Sequence, residues 1–166
     1  MDYYLGLDPS TRCTGYCVMD INYNIIEKGN IDMPVTDDEG EKIFYQLERV
    51  ELLFSKYNIV EILCEDQYGG LNIDTLKKLT RVVGAFLYIA KKHQIPISTI
   101  YPTSWRKLFH GSGKAKKKDT FDKVVTLYDI EDFKFSKHND ITDAVGIAWS
   151  LVDMVKERRL KEASAA

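Results

Sequence analysis

The sequence predicts an α/β domain built on a mixed five-stranded sheet, three antiparallel strands followed by parallel ones, with helices packed on it. Three observations predict it. Residues 3–7, 15–19 and 25–31 are short runs rich in branched and aromatic side chains, separated by the turn signals DPST and DINYN. A helical periodicity follows, and then a continuous apolar run, "NIVEILCE" (58–65), too short for a helix. A second helix and a further apolar run, "IPISTIY" (95–101), repeat that alternation, which places parallel strands beside the antiparallel start. With 166 residues and 45% hydrophobic content, one core is affordable and two domains are cramped, so residues 1–158 are read as one domain and 159–166 as a frayed tail.

Each element has its own signal. The first strand ends in Asp8, which stands before Pro9 and Ser10 at the turn into the second strand. Over 41–57, Ile43, Leu47, Val50, Phe54 and Tyr57 recur at helical spacing and give one apolar face. In 58–65 only Glu61 points outward, and the run ends in Glu65. Leu76, Leu79, Val83, Phe86 and Ala90 form the inner face of a helix over 72–94. Residues 106–118 read as a basic loop. After it, Phe121, Val124, Val125 and Tyr128 predict a helix over 118–128, and a last helix starts with Asn139 as its N-cap and packs through Ala144, Ile147, Ala148 and Leu151.

Composition narrows the function. The start MDYYLG lacks a basic leader, and no apolar run approaches the roughly 20 residues of a membrane span, so a cytoplasmic protein without membrane contact is expected. Cys13, Cys17 and Cys64 are odd in number and lack a CxxC pair, so buried thiols are expected in place of zinc ligands or a disulfide. The net charge of −2 argues against wholesale adhesion to nucleic acid. Charge placement is uneven, however. "DDEGE" (37–41) is acidic, whereas Arg106, Lys107, Lys114, Lys116, Lys117 and Lys118 share a stretch with no acid, which suggests local contact with a polyanion.

Four carboxylates form the candidate site. Asp8 and Glu65 end two strands, and strand C-termini in such sheets gather where ligands bind. Asp140 and Asp143, three apart, project from one face of the last helix. Taken singly, each has an ordinary reading: a turn initiator for Asp8, a helix-end charge for Asp140, a surface pair for Glu65 and Asp66. Brought together they repel and partly protonate unless a cation stands among them. An all-oxygen donor set favours Mg²⁺ or Mn²⁺, and two such ions about 3.5–4 Å apart can drive phosphodiester hydrolysis.

These residues resemble a known family. "LGLDPSTRCTGYCV" (5–18), "ILCEDQY" (62–68) and "NDITDAVGIAW" (139–149) are similar, in order and separation, to the first hairpin, glutamate strand and D-x-x-D-A helix of the RuvC-like Holliday junction resolvases, within the ribonuclease H-like superfamily. The resemblance covers nearly the whole chain, and the short length, typical of members encoded by bacteria or their phages, leads us to expect a bacteriophage-encoded member. It implies a ribonuclease H-like fold and a homodimer that binds a four-way DNA junction and nicks two opposed strands symmetrically. It also implies Mg²⁺, two ions per site, held by Asp8, Glu65, Asp140 and Asp143, with no nucleotide cofactor. Tyr68 falls where the family places an aromatic that wedges into the junction centre. Lys107 matches a basic residue near the cleaved phosphate, and a second such lysine falls on Lys118 without gaps or on Lys117 if Gly111 and Gly113 are matched. Ser10 departs from the usual glycine.

Other readings stay open on the sequence. One is a broader branched-DNA or fork nuclease, and another a junction-binding protein without turnover. An actin-like or sugar-kinase-like ATPase shares the strand-Asp-turn-strand opening, but needs a second domain for which the chain has no room.

Overall fold

In the computed structural model, which describes residues 1–66, 70 and 72–165, strand β1 (Tyr3–Pro9) pairs antiparallel with β2 (Cys13–Asp20), and β2 with β3 (Ile25–Asp32). Ser10 closes the first turn: its hydroxyl donates to the Cys13 carbonyl at 2.8 Å and accepts the Cys13 amide at 3.2 Å. Helix α1 (Glu39–Lys56) is capped by Asp38, whose carboxylate accepts the Glu41 amide, and leads to β4 (Ile59–Glu65). Helix α2 (Ile73–Lys92), capped by Asn72, leads to the short β5 (Ile97–Ile100). β4 lies parallel to β1 and to β5, so the sheet order is β3-β2-β1-β4-β5. The predicted mixed sheet is the one observed.

Three differences from the sequence reading concern the second half. Residues 102–110, of which 106–110 are expected in the basic loop, form helix α3 (Pro102–His110), started by proline at its first turn and ended by Gly111 at φ 78°. The following helix, α4, spans Lys117–Leu127, close to expectation. Helix α5 (Phe135–Ala165) begins a turn before Asn139, because the His138 ring accepts the Lys134 amide at 2.8 Å and caps the earlier turn. Asn139 is therefore inside the helix, its side chain donating to the Phe135 carbonyl. At the other end, the expected frayed tail is the last turns of α5, where "KERRLKEASA" is dense in strong helix formers.

Strand alternation splits the core in two. Leu5, Leu7, Val18, Ile62 and Cys64 face α1 and α2. Tyr4, Cys17, Met19 and Leu63 face α3, α4 and α5. All three cysteines are buried and free.

The α5 face is unusually close to the strands. A Cβ on Gly6 would stand 2.5 Å from the Ala144 carbonyl oxygen, and one on Gly15 would stand 2.1 Å from that of Asp140. Those contacts are to backbone, which cannot rotate away. Gly15→Ala is expected to lower stability by at least the about 1–3 kcal/mol typical of overpacking, read as a drop in melting temperature. An unchanged melt would show that α5 does not need this approach.

Candidate active site

The two glycines determine where the acids fall. Asp8 follows Tyr4 and Gly6 in the strand alternation, so its side chain faces α5, and only 2% of the residue is exposed. Glu65, two residues beyond Leu63, shares that face at the end of β4. Asp140 and Asp143 lie a turn apart on α5, with the Asp140 backbone directly over Gly15. β1, β4 and α5 thus carry all four predicted carboxylates to one edge of the sheet, the C-terminal end of its parallel strands.

A side-chain cation stands among them. Lys117, first residue of α4, places Nζ 2.9 Å from Asp140 Oδ1, 3.2 Å from Asp143 Oδ2 and 3.8 Å from Asp8 Oδ2. Arg106 Nη2 approaches Asp143 Oδ2 at 3.5 Å. Lys118, the alternative to Lys117, turns outward to Asp122 one helical turn on. Lys107, Lys114 and Lys116 are exposed beside the site, Lys107 on the outer side of α3, so the basic side chain of α3 that reaches the acids is Arg106. Tyr68 lies outside the described residues.

Electrostatics mark this cluster as strained. Burial, then repulsion from Glu65, pushes the Asp8 carboxyl well above its ordinary range, with Lys117 pulling the other way. Burial also raises Asp143, against the pull of Lys117 and Arg106. Glu65 is raised by burial too, although a hydrogen bond from Trp105 counteracts it. For Lys117, burial alone would favour the neutral amine, but Asp8, Asp143 and Asp140 together outweigh it and hold the ammonium above the usual lysine range.

The acids fit a hard cation by their unmet valence. Asp8 Oδ2 and both oxygens of Asp143 are buried without a well-formed hydrogen bond, which is costly for acceptors unless something positive meets them. Among the described residues, no three acids are already closed around one ion position, and the Lys117 ammonium stands between them. Binding a divalent cation there therefore requires the lysine to yield oxygens to it.

Two contacts have no counterpart in the sequence reading. Trp105, fully buried, donates its indole N–H to Glu65 Oε2 at 2.7 Å. The Cys13 thiol donates to Asp140 Oδ2 at 3.2 Å. Both join elements distant in the chain. The only local signal was the Trp105/Phe109 spacing after Pro102, which marks the inner face of a helix.

The chain is similar to known proteins over most of its length. The family model described as crossover junction endodeoxyribonuclease RuvC matches residues 4–150. The RuvC protein of Aliarcobacter butzleri is 32% identical over 147 residues, covering 87% of this chain and 94% of that protein. That of Cytophaga hutchinsonii is 30% identical over 150 residues, covering 87% and 72%. Among solved structures, Thermus thermophilus RuvC in complex with Holliday junction substrate superposes with a TM-score of 0.78 at 17% identity, covering 89% of this chain and 91% of that one. The Fowlpox virus resolvase bound to Holliday junction DNA gives 0.57 at 14% identity, covering 91% and 99%. A family model that takes in Asp8, Glu65, Asp140 and Asp143 alike, and relatives matched over most of their length, place the chain in the RuvC family of crossover junction endodeoxyribonucleases.

Proposed function

We propose that this protein is a Mg²⁺-dependent endonuclease that resolves four-way DNA junctions as a homodimer, nicking two opposed strands symmetrically. The observation that carries the reading is the convergence of Asp8, Glu65, Asp140 and Asp143 beside a basic surface, with Asp8 and Asp143 buried and their carboxylate oxygens short of hydrogen-bond partners. Family membership adds the substrate class.

The residues divide the work. Asp8, Glu65, Asp140 and Asp143 would hold the cation, and Mn²⁺ can replace Mg²⁺ in an all-oxygen site. Bound there as a pair, such ions would supply the chemistry of water activation and of charge stabilisation at the leaving 3′ oxygen. Lys117 and Arg106 balance the negative charge that the scissile phosphate brings to the acids. Lys107, Lys114, Lys116 and Lys118, exposed around the site, meet the neighbouring backbone phosphates. Tyr68 takes the junction-centre stacking role, on the family resemblance alone; a stacked base contributes about 1–3 kcal/mol. The reading also places the protein in the cytoplasm with DNA, and among the described residues no helix is long and apolar enough to cross a membrane.

A synthetic four-way junction with a fixed centre, compared with a fork and a linear duplex, tests the reading. Paired nicks at symmetric positions are expected in the junction with Mg²⁺ and none with EDTA. Junction binding without cuts in Mg²⁺ or Mn²⁺ would leave an architectural DNA binder instead.

A further inference from the structure

We propose that Trp105 is the positioning residue for Glu65: its indole N–H holds Oε2, so that the carboxylate offers the cation its other oxygen, Oε1, in a fixed orientation. The inference rests on the nuclease reading above. An indole nitrogen can only donate, so the hydrogen bond has one possible polarity, and its 2.7 Å length is that of a charge-assisted contact. A buried indole must find such a partner. Here it finds the acid at the end of β4.

The ring itself is held on several sides. Gly146 in α5 leaves room for it, since a Cβ there would stand 2.7 Å from Trp105 Cζ3. The Arg106 guanidinium lies over the ring at 4.9 Å, while reaching Asp143. The Ser150 hydroxyl, which donates to the Gly146 carbonyl at 2.8 Å, also has the Trp105 carbonyl within reach at 3.2 Å. α3 and α5 thereby fix an indole whose single polar atom addresses a metal ligand, which is the arrangement by which outer partners orient the groups that bind metal. A phenylalanine at position 105 keeps an aromatic ring in the core without that atom, at the cost of some buried volume.

Trp105→Phe is expected to weaken Mn²⁺ binding to the DNA-free protein, measured by calorimetry, by about 10–100-fold, the usual effect of losing an outer partner. The Mg²⁺ concentration for half-maximal junction cleavage should rise in parallel, excess Mg²⁺ should restore cleavage, and junction binding in EDTA should not change. Leu151→Ala, in the same core and also buried, serves as the control: it should lower the melting temperature and leave Mn²⁺ affinity alone. If Trp105→Phe does not fold, benzothienylalanine at position 105 replaces the N–H by sulfur and keeps the ring shape. Unchanged Mn²⁺ affinity in either folded variant, with wild type binding normally, would overturn the role of Trp105 alone. A wild-type protein that binds neither Mn²⁺ nor Mg²⁺ would overturn the nuclease reading along with it.

Discussion

Asp8→Asn is expected to abolish strand cleavage, to leave junction binding intact and to raise the melting temperature of the metal-free protein. Loss of cleavage should exceed the about 100-fold that removal of an outer-shell partner costs, because Asp8 is itself one of the four acids proposed to hold the cation. The gain in stability follows from the same burial. The Asp8 carboxyl titrates in the folded chain well above its ordinary value of 3.8, driven first by desolvation and then by Glu65. Between 3.8 and that raised value the folded chain keeps a proton that the unfolded chain has lost, so stability falls as pH rises through the window. At neutral pH the ionised form costs stability, and an amide of the same shape does not. Mg²⁺ should offset the cost in wild type, by about 2.7 kcal/mol at a hundredfold excess over its dissociation constant, and much less in the variant. Melting curves of both proteins with Mg²⁺ or EDTA, together with nicking assays, measure the pair of effects. Robust nicking by Asp8→Asn in Mg²⁺ would remove Asp8 from the metal site.

A cleaving site that destabilises its own fold has to be held by structure elsewhere. Here the holding is done by the close seat of α5 on Gly6 and Gly15, and by Lys117 and Arg106. Without those two glycines, Asp140 and Asp143 could not approach Asp8. With them, three elements from both ends of the chain share one small volume.

Much of this was legible in the sequence because it rests on local patterns. Period-two alternation and turn signals define β1 to β3, and an acid at the tip of β1 or β4 stands out against the apolar run that precedes it. The spacing of Asp140 and Asp143 fixes them on one face of a helix wherever that helix starts. The parts that were not legible depend on pairs across the chain. Helix α3 was hidden because its basic residues and the glycines after it resemble a loop, although Pro102 at its start and Trp105 and Phe109 one turn apart are helical signals. The start of α5 was misplaced since Asn139 is a good N-cap in general, whereas here a histidine ring caps an earlier turn. Neither Trp105 on Glu65 nor Cys13 on Asp140 leaves a trace in sequence spacing.

The choice between Lys117 and Lys118 was of the same kind, open in sequence because the two are adjacent, and separated in the structure because successive residues of a helix point about 100° apart. Lys117→Ala is expected to reduce cleavage by about 100–1,000-fold, the scale of losing one preorganised group that meets transition-state charge. Lys118→Ala, which removes a surface pair with Asp122, should stay within about threefold of wild type. Stability in EDTA should separate the two as well. Lys117→Ala leaves Asp8, Asp140 and Asp143 without their shared ammonium, but 44% of the Lys117 side chain is exposed, so the loss should fall short of the about 3–5 kcal/mol of a fully buried pair. In Mg²⁺ the order partly reverses. The ammonium and the metal compete for the same oxygens, so the rise in melting temperature on adding Mg²⁺ should be larger in Lys117→Ala than in wild type, even though the variant cuts poorly. Stronger metal response with weaker cleavage would mean that Lys117 neutralises the empty site and then serves the phosphate once the metal has taken its place. Normal cleavage by Lys117→Ala, or a deep loss in Lys118→Ala, would instead assign the phosphate to the outer lysine.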